Sequence, residues 1–383
     1  SLLLFSVFVI SLVVSSIPMI IDGPQRSADG NNFLRCAELM LEEAHLGSAI
    51  TRNLTEAWCR SYTVFLVIFS TVVHHFDSDW PQILASLNVA FHALAITSMT
   101  ALIHILFSIP LLSVLVAVSL ICSVDILIRV HWPIADSFFF LMATLAFVGI
   151  NLACFKPTNR LIALSALILV LLAGFTKPHG FAIGLIGIVT ILFRHKLSTI
   201  APRAGLLLIS IVITCIASSF VIVAFVFDPS YQPITLEDAI LKEFLLNGQV
   251  IEGVYSTYNQ GTENYFIRLS TILERFLVFF SFFPPHWSIR HIIFSSIFFV
   301  PWYLGLISCW VAFSSRNLDP RVRCLILLSS IWILSFATIA GWFDVSYEFR
   351  YRLPLMTVFA FQAVLGLYLL VSRTQRLATY SKC

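Results

Sequence analysis

Two carboxylates and four basic side chains stand where long apolar runs give way to polar sequence: Asp29, Asp136, Lys177, His179, Arg350 and Arg352. A carboxylate beside a hydroxyl orients it and accepts its proton as the oxygen attacks. Two arginines two residues apart, just ahead of Pro354, suit a phosphate, because guanidinium pairs with phosphate in a bidentate fashion. Lys177 and His179 either reach a phosphate or cap a broken helix. Each of the others has a plainer role open to it. Asp29 can be an N-cap or a solvated loop acid, Asp136 can cap the helix it heads, and the arginines can snorkel to lipid headgroups. The spacing around Asp29 is suggestive all the same, since Asp29, Phe33 and Ala37 recur every fourth residue.

The elements that must hold these groups are helices in a membrane. Of 383 residues 59% are hydrophobic and only 11% charged, and the mean hydropathy is +0.93. No ordinary soluble domain has that balance, and long apolar runs recur along the whole chain, so the expected class is an all-α polytopic membrane protein. A net charge of +3 is too small to suggest nucleic acid. The eight cysteines lack metal-ligand spacing, and most lie in apolar runs, where cysteine behaves as a small hydrophobe. The first apolar run is followed by no small-residue cleavage site, which predicts a retained helix rather than a signal peptide, and the start at Ser1 allows for missing upstream residues.

Spans are predicted near 1–21, 82–103, 106–127, 136–154, 161–176, 180–193, 204–227, 292–313, 322–341 and 353–371. The stretch 161–193 is too long for one crossing at 1.5 Å per residue, and Thr176-Lys177-Pro178-His179-Gly180 breaks it into two short spans with a tight turn. Residues 62–73 are too few to cross comfortably and read as a juxtamembrane or re-entrant helix. Charge bias agrees with ten spans and both termini in the cytoplasm. The inner segments then hold eleven basic residues and one acid, Asp319, while the other 12 of 23 basic residues share the outer side with 19 of 20 acids. The chain reads as one membrane domain over 1–383 with outer loops 22–81 and 228–291. Residues 33–43 form an amphipathic helix with Phe33, Ala37, Met40 and Leu41 on one face, expected to lie against the bilayer. His92 and His104 are read as hydrogen-bonded packing residues, and the adjacent His74 and His75 as solvated. Asn53-Leu54-Thr55 matches a glycosylation sequon on the outer side.

Four places, taken in order, resemble the GT-C fold, the multi-span glycosyltransferases that use polyprenyl-phosphate sugars. Asp29-x-x-x-Phe33-x-x-x-Ala37 resembles their first outer loop, Asp136 the acid heading the fourth span, and "LAGFTKPHGFAIG" (172–184) the Thr-Arg/Lys-Pro-x-Gly turn. "YEFRYRLPLMTVFAFQAVLGLYLL" (347–370) resembles the Tyr-Arg-x-x-Pro entry to a late span in the bacterial protein-mannosyltransferase-like branch, which includes the lipid-A aminoarabinose transferase-like enzymes. Phe33 stands where that family usually has an aromatic hydroxyl.

The resemblance implies an inverting transferase on the outer face of a membrane, the bacterial inner membrane for this branch. Its partners are a polyprenyl-phosphate sugar donor and a lipid, glycan or protein acceptor. Asp29 and Asp136 would be the catalytic carboxylates, and Arg352, Arg350, Lys177 and His179 the donor-phosphate ligands. No cofactor is expected, and the divalent metal that some members bind is possible but not indicated, the outer loops being read as lacking an Asp-x-Asp. A transporter or flippase of lipid-linked saccharides is the alternative, and a non-catalytic assembly partner a third reading.

Overall fold

The computed structural model describes residues 2–24, 33–34, 36–37, 62–76, 79–127, 130–132, 135–177, 180–197, 199, 205, 273, 276–277, 279–280, 289–315, 318–343 and 349–380. The regular elements among these residues are all helices, with no strand, as expected. The helices are α1 (Leu2–Asp22), α2 (Thr63–Phe76), α3 (Trp80–Phe107), α4 (Pro110–Ile121), α5 (Val124–Leu127), α6 (Ala135–Phe155), α7 (Arg160–Gly174), α8 (Gly180–Leu192), α9 (Arg194–Leu197), α10 (Ile289–Phe313), α11 (Pro320–Phe343) and α12 (Met356–Tyr380). A 3₁₀ segment, Phe349–Leu355, leads into α12. Among the described residues six helices are long and apolar enough to cross a membrane: α1, α3, α6, α10, α11 and α12.

Helix ends follow local chemistry. Gly23 takes a φ of +69° just after α1 and donates its N–H to the Met19 carbonyl, a left-handed stop that glycine adopts without strain. Asn159 caps α7, its side chain accepting from the N–H groups of Leu161 and Ile162 at 3.0 and 3.2 Å. The predicted break inside 161–193 falls between Gly174 and Gly180. The predicted span 106–127 is different from what was expected. α3 runs on to Phe107, Ser108 turns in a left-handed conformation, and Pro110 starts a helix of only 12 residues, α4, with the four-residue α5 beyond a turn. Proline at the first turn of a helix fixes where it begins, and apolar sequence on both sides hides the boundary.

α6 lies at the centre. Of its apolar stretch 78% is buried inside the protein, against 17% for α1, which therefore shows most of its surface to lipid. α6 packs against α3, α7, α8 and the 3₁₀ segment, and α1 rests on α3. Lipid tails are as apolar as leucine, so hydrophobicity alone does not drive these helices together; close backbone approach and buried hydrogen bonds do. α10 and α12 touch so closely that a Cβ on Gly305 would fall 2.5 Å from the Ala363 Cα, and one on Gly366 would overlap the Gly305 carbonyl. Between α11 and α12, Gln362 donates to Ser330 Oγ at 3.0 Å in a fully buried setting. Thr144 of α6 and Thr357 of α12 share a hydrogen bond of 3.0 Å.

Candidate functional site

At the amino-terminal end of α6, Asp136 is buried and forms an ion pair with Lys177, which lies in the turn between α7 and α8 and is also buried. The turn is shaped for this. Thr176 Oγ1 donates back to the Leu172 carbonyl at 2.7 Å, and Gly180 N–H donates to the Lys177 carbonyl at 2.8 Å. The start of α8 leaves no room for a side chain at position 180, because a Cβ there would overlap the Ala173 carbonyl. The turn is tied to α2, whose Val64 N–H donates to the Phe175 carbonyl at 3.2 Å. One residue along α6, Ser137 Oγ shares a hydrogen bond of 3.0 Å with His92 Nε2 of α3, so His92 is the hydrogen-bonded packing residue expected. Asn88 of α3 donates to the Trp132 carbonyl at 2.6 Å, fixing the approach to α6.

The same end gathers an aromatic cluster. Phe33 meets Tyr62 and Phe65 edge-on, each with ring centroids 4.9 Å apart, and Ala135 and Phe138 of α6 belong to the same buried group as Phe33, Cys36 and Ala37. Phe33 and Ala37 thus share a buried face, as their spacing predicts. The expectation that this face lies against the bilayer is corrected, since it packs on aromatic side chains of α2 and the start of α6. Bilayer and aromatic core are both apolar, so hydropathy does not tell them apart. Cys36 is disulfide-bonded, which places it outside the small-hydrophobe role given to most cysteines, and Cys122, Cys154, Cys309 and Cys324 are free.

Arg352 sits in the 3₁₀ segment, which α6 packs against. Its side chain is fully buried, with the guanidinium carbon 4.2 Å from the centre of the Phe299 ring of α10. Stacking of this kind is a strong interaction when water is absent. Phe299 belongs to a nest in which Trp302 lies 4.3 Å from Phe359 and Tyr303 donates to the Phe280 carbonyl. Arg352 is therefore not a headgroup anchor extended into water. Replacing it with alanine would empty a buried site.

Of the predicted site residues, the structure joins Asp136 to Lys177 directly and links Arg352 to α6 through helix packing. Asp29, His179 and the side chain of Arg350 lie outside the described residues. So do the predicted span 204–227 apart from Gly205, and Met40 and Leu41. The Asp136–Lys177 pair was not foreseen as a pair; the available signal was an acid and a base at span ends assigned to one side of the membrane. The reading that the outer loops hold no Asp-x-Asp is corrected, since Asp77-Ser78-Asp79, immediately before α3, is one within the predicted outer loop 22–81. Asp79 is exposed, as are His74 and His75, and Asp77 lies outside the described residues. Among the described residues no group of three or more His, Cys, Asp or Glu is placed to hold a metal.

The fold and the apolar helices define the class: an all-helical, multi-pass integral membrane protein. No family model matches the chain, and no curated protein or solved structure matches it.

Proposed function

We propose that the protein is a GT-C-type glycosyltransferase that moves a sugar from a polyprenyl-phosphate donor to a lipid, glycan or protein acceptor on the outer face of a bacterial inner membrane. The observation that carries this reading is convergence at one end of α6. The stretch after Asp29, the acid Asp136 and the turn with Lys177 come from three distant parts of the sequence, and all meet there. The segment with Arg352 packs on the same helix. A coupled transporter more often has its acids near the midplane of broken helices, whereas Asp136 stands at a helix start.

In this reading ten helices cross the membrane and both termini are cytoplasmic. Three of the crossings, α4, α7 and α8, are short, at 12, 15 and 13 residues. The disulfide at Cys36 supports an outer location for residues 22–81, because disulfides persist in oxidising compartments. Asp29 is the base that takes the acceptor proton. Asp136, neutralised by Lys177, is the second carboxylate and orients groups at the head of α6. Lys177 consequently serves Asp136 before any phosphate. Arg352, with Arg350 and His179, balances the charge that develops on the departing phosphate oxygen.

The test uses the purified full chain in lipid nanodiscs with polyprenyl-phosphate sugars, following sugar loss from the donor by mass spectrometry. Turnover is expected, and Asp29→Asn is expected to slow it by about 10²–10⁴-fold with donor binding retained. A parallel arm with a chelator tests for a metal requirement, and Asp77→Asn/Asp79→Asn tests whether that pair holds it. A donor that changes leaflet without losing its sugar would move the assignment to a flippase of lipid-linked saccharides.

A further inference from the structure

The opposite end of α6 carries a concentration of positive charge that the proposed reaction does not use. Lys156 and Arg160 flank the α6–α7 turn, Lys196 lies on α9, and Arg321 starts α11; all four side chains are exposed. They are held at one level by contacts between elements. Arg194 donates from Nε to the Pro157 carbonyl and from Nη1 to the Ile191 carbonyl, both at 2.9 Å, which fastens α9 to the α6–α7 turn. Arg321 lies over the Phe155 ring with its guanidinium carbon 4.9 Å from the centre, which fastens α11 to the end of α6. Asp319 is the one acid among the described residues of these turns, and its carboxylate accepts the Arg321 backbone N–H. α7 also directs its amino terminus to this level, adding the positive end of a helix dipole beside Arg160.

Directly along α7 and α8 from these cations the surface is apolar and open: Leu161, Leu164, Leu192 and Phe193 are all exposed. A cationic band next to exposed leucine and phenylalanine matches one partner in both its parts, a phospholipid with an anionic headgroup and apolar chains. We infer that the turns α6–α7 and α8–α9, with the start of α11, form a binding surface for anionic phospholipid headgroups. Phosphodiester oxygens pair with Arg160, Lys196 and Arg321, and the acyl chains lie along Leu161, Leu164 and Leu192. A soluble anionic protein would meet the cations and leave the apolar strip in lipid uncovered.

The experiment reconstitutes the full chain in phosphatidylcholine vesicles and measures, by electron paramagnetic resonance, how far spin-labelled phosphatidylglycerol is preferred over spin-labelled phosphatidylcholine in the motionally restricted shell. The parent protein is expected to prefer phosphatidylglycerol. In Arg160→Gln/Lys196→Gln the preference is expected to fall by about 10–30-fold at any site both residues serve, at about fivefold per cation, and Arg160→Lys/Lys196→Arg should retain it. Both positions are exposed, and unchanged thermal unfolding of each variant will verify that folding is intact. Equal selectivity for the two lipids in the parent, or a preference unchanged in the glutamine double variant, would overturn the inference.

Discussion

Lys177→Met leaves the Asp136 carboxylate buried without its ammonium partner, and the size of the effect follows from that burial. Exposed ion pairs contribute about 0–1 kcal/mol, but removing one member of a buried pair typically costs about 3–5 kcal/mol, since the remaining charge has lost both water and partner. Asp136 is 2% exposed and Lys177 7%, so the buried range applies. At about 2–4 °C per kcal/mol for a large domain, Lys177→Met is expected to lower the apparent Tm by on the order of 6–20 °C. Asp136→Asn should be milder, because a lysine near the end of its turn can swing toward water. The combination Asp136→Asn/Lys177→Met removes both charges and should recover most of the loss. A double-mutant cycle read by thermal unfolding in one detergent gives the coupling directly. Single variants that unfold with the parent, or a double variant that is simply the sum of two losses, would refute the reasoning. The double variant also separates two roles: stable protein without transferase activity would mark the Asp136–Lys177 pair as part of the reaction rather than of the frame.

Gly366→Ala should destabilise the α10–α12 crossing by about 1–3 kcal/mol, because its methyl group meets the Gly305 carbonyl rather than a side chain that can yield; thermal unfolding checks this, with Gly23→Ala as a strained but open comparison. Cys36 should resist a maleimide on the unfolded, unreduced protein and react after reduction, read as a mass increase on its peptide, whereas Cys122 should react without reductant.

Much of the fold is legible in the sequence where breakers interrupt apolar runs. Thr176-Lys177-Pro178-His179-Gly180 announces the α7–α8 turn because proline and glycine act locally, and the four-residue recurrence of Phe33 and Ala37 identifies a buried face. What covers that face is not legible. Phe65 and Phe138 come from elements dozens of residues away, and the lipid alternative is equally apolar. The short α4 was hidden for a related reason: apolar residues continue through Ser108 and Ile109, so only Pro110 marks where one helix stops and another begins. The Asp136–Lys177 pair depends on α6 and the α7–α8 turn meeting, a long-range fact to which local spacing contributes nothing. Arg352 was legible as a site candidate by its type and position, but not its stacking on Phe299, which needs α10 beside the 3₁₀ segment.

The separation within that ion pair also bears on how the chain is made. Asp136 precedes Lys177 by 41 residues, so the ribosome delivers the acid first. At about 5–20 residues per second the acid waits on the order of 2–8 s before its base is even synthesised. Asn88 and His92, which hold the approach to α6, are already in place by then, so the nascent α6 can dock on α3 while its first turn still lacks a counter-charge. The α7–α8 hairpin then arrives with its positive turn and finds a waiting negative partner. The order of synthesis thus delivers the acid with α6 and its base only with the later α7–α8 hairpin.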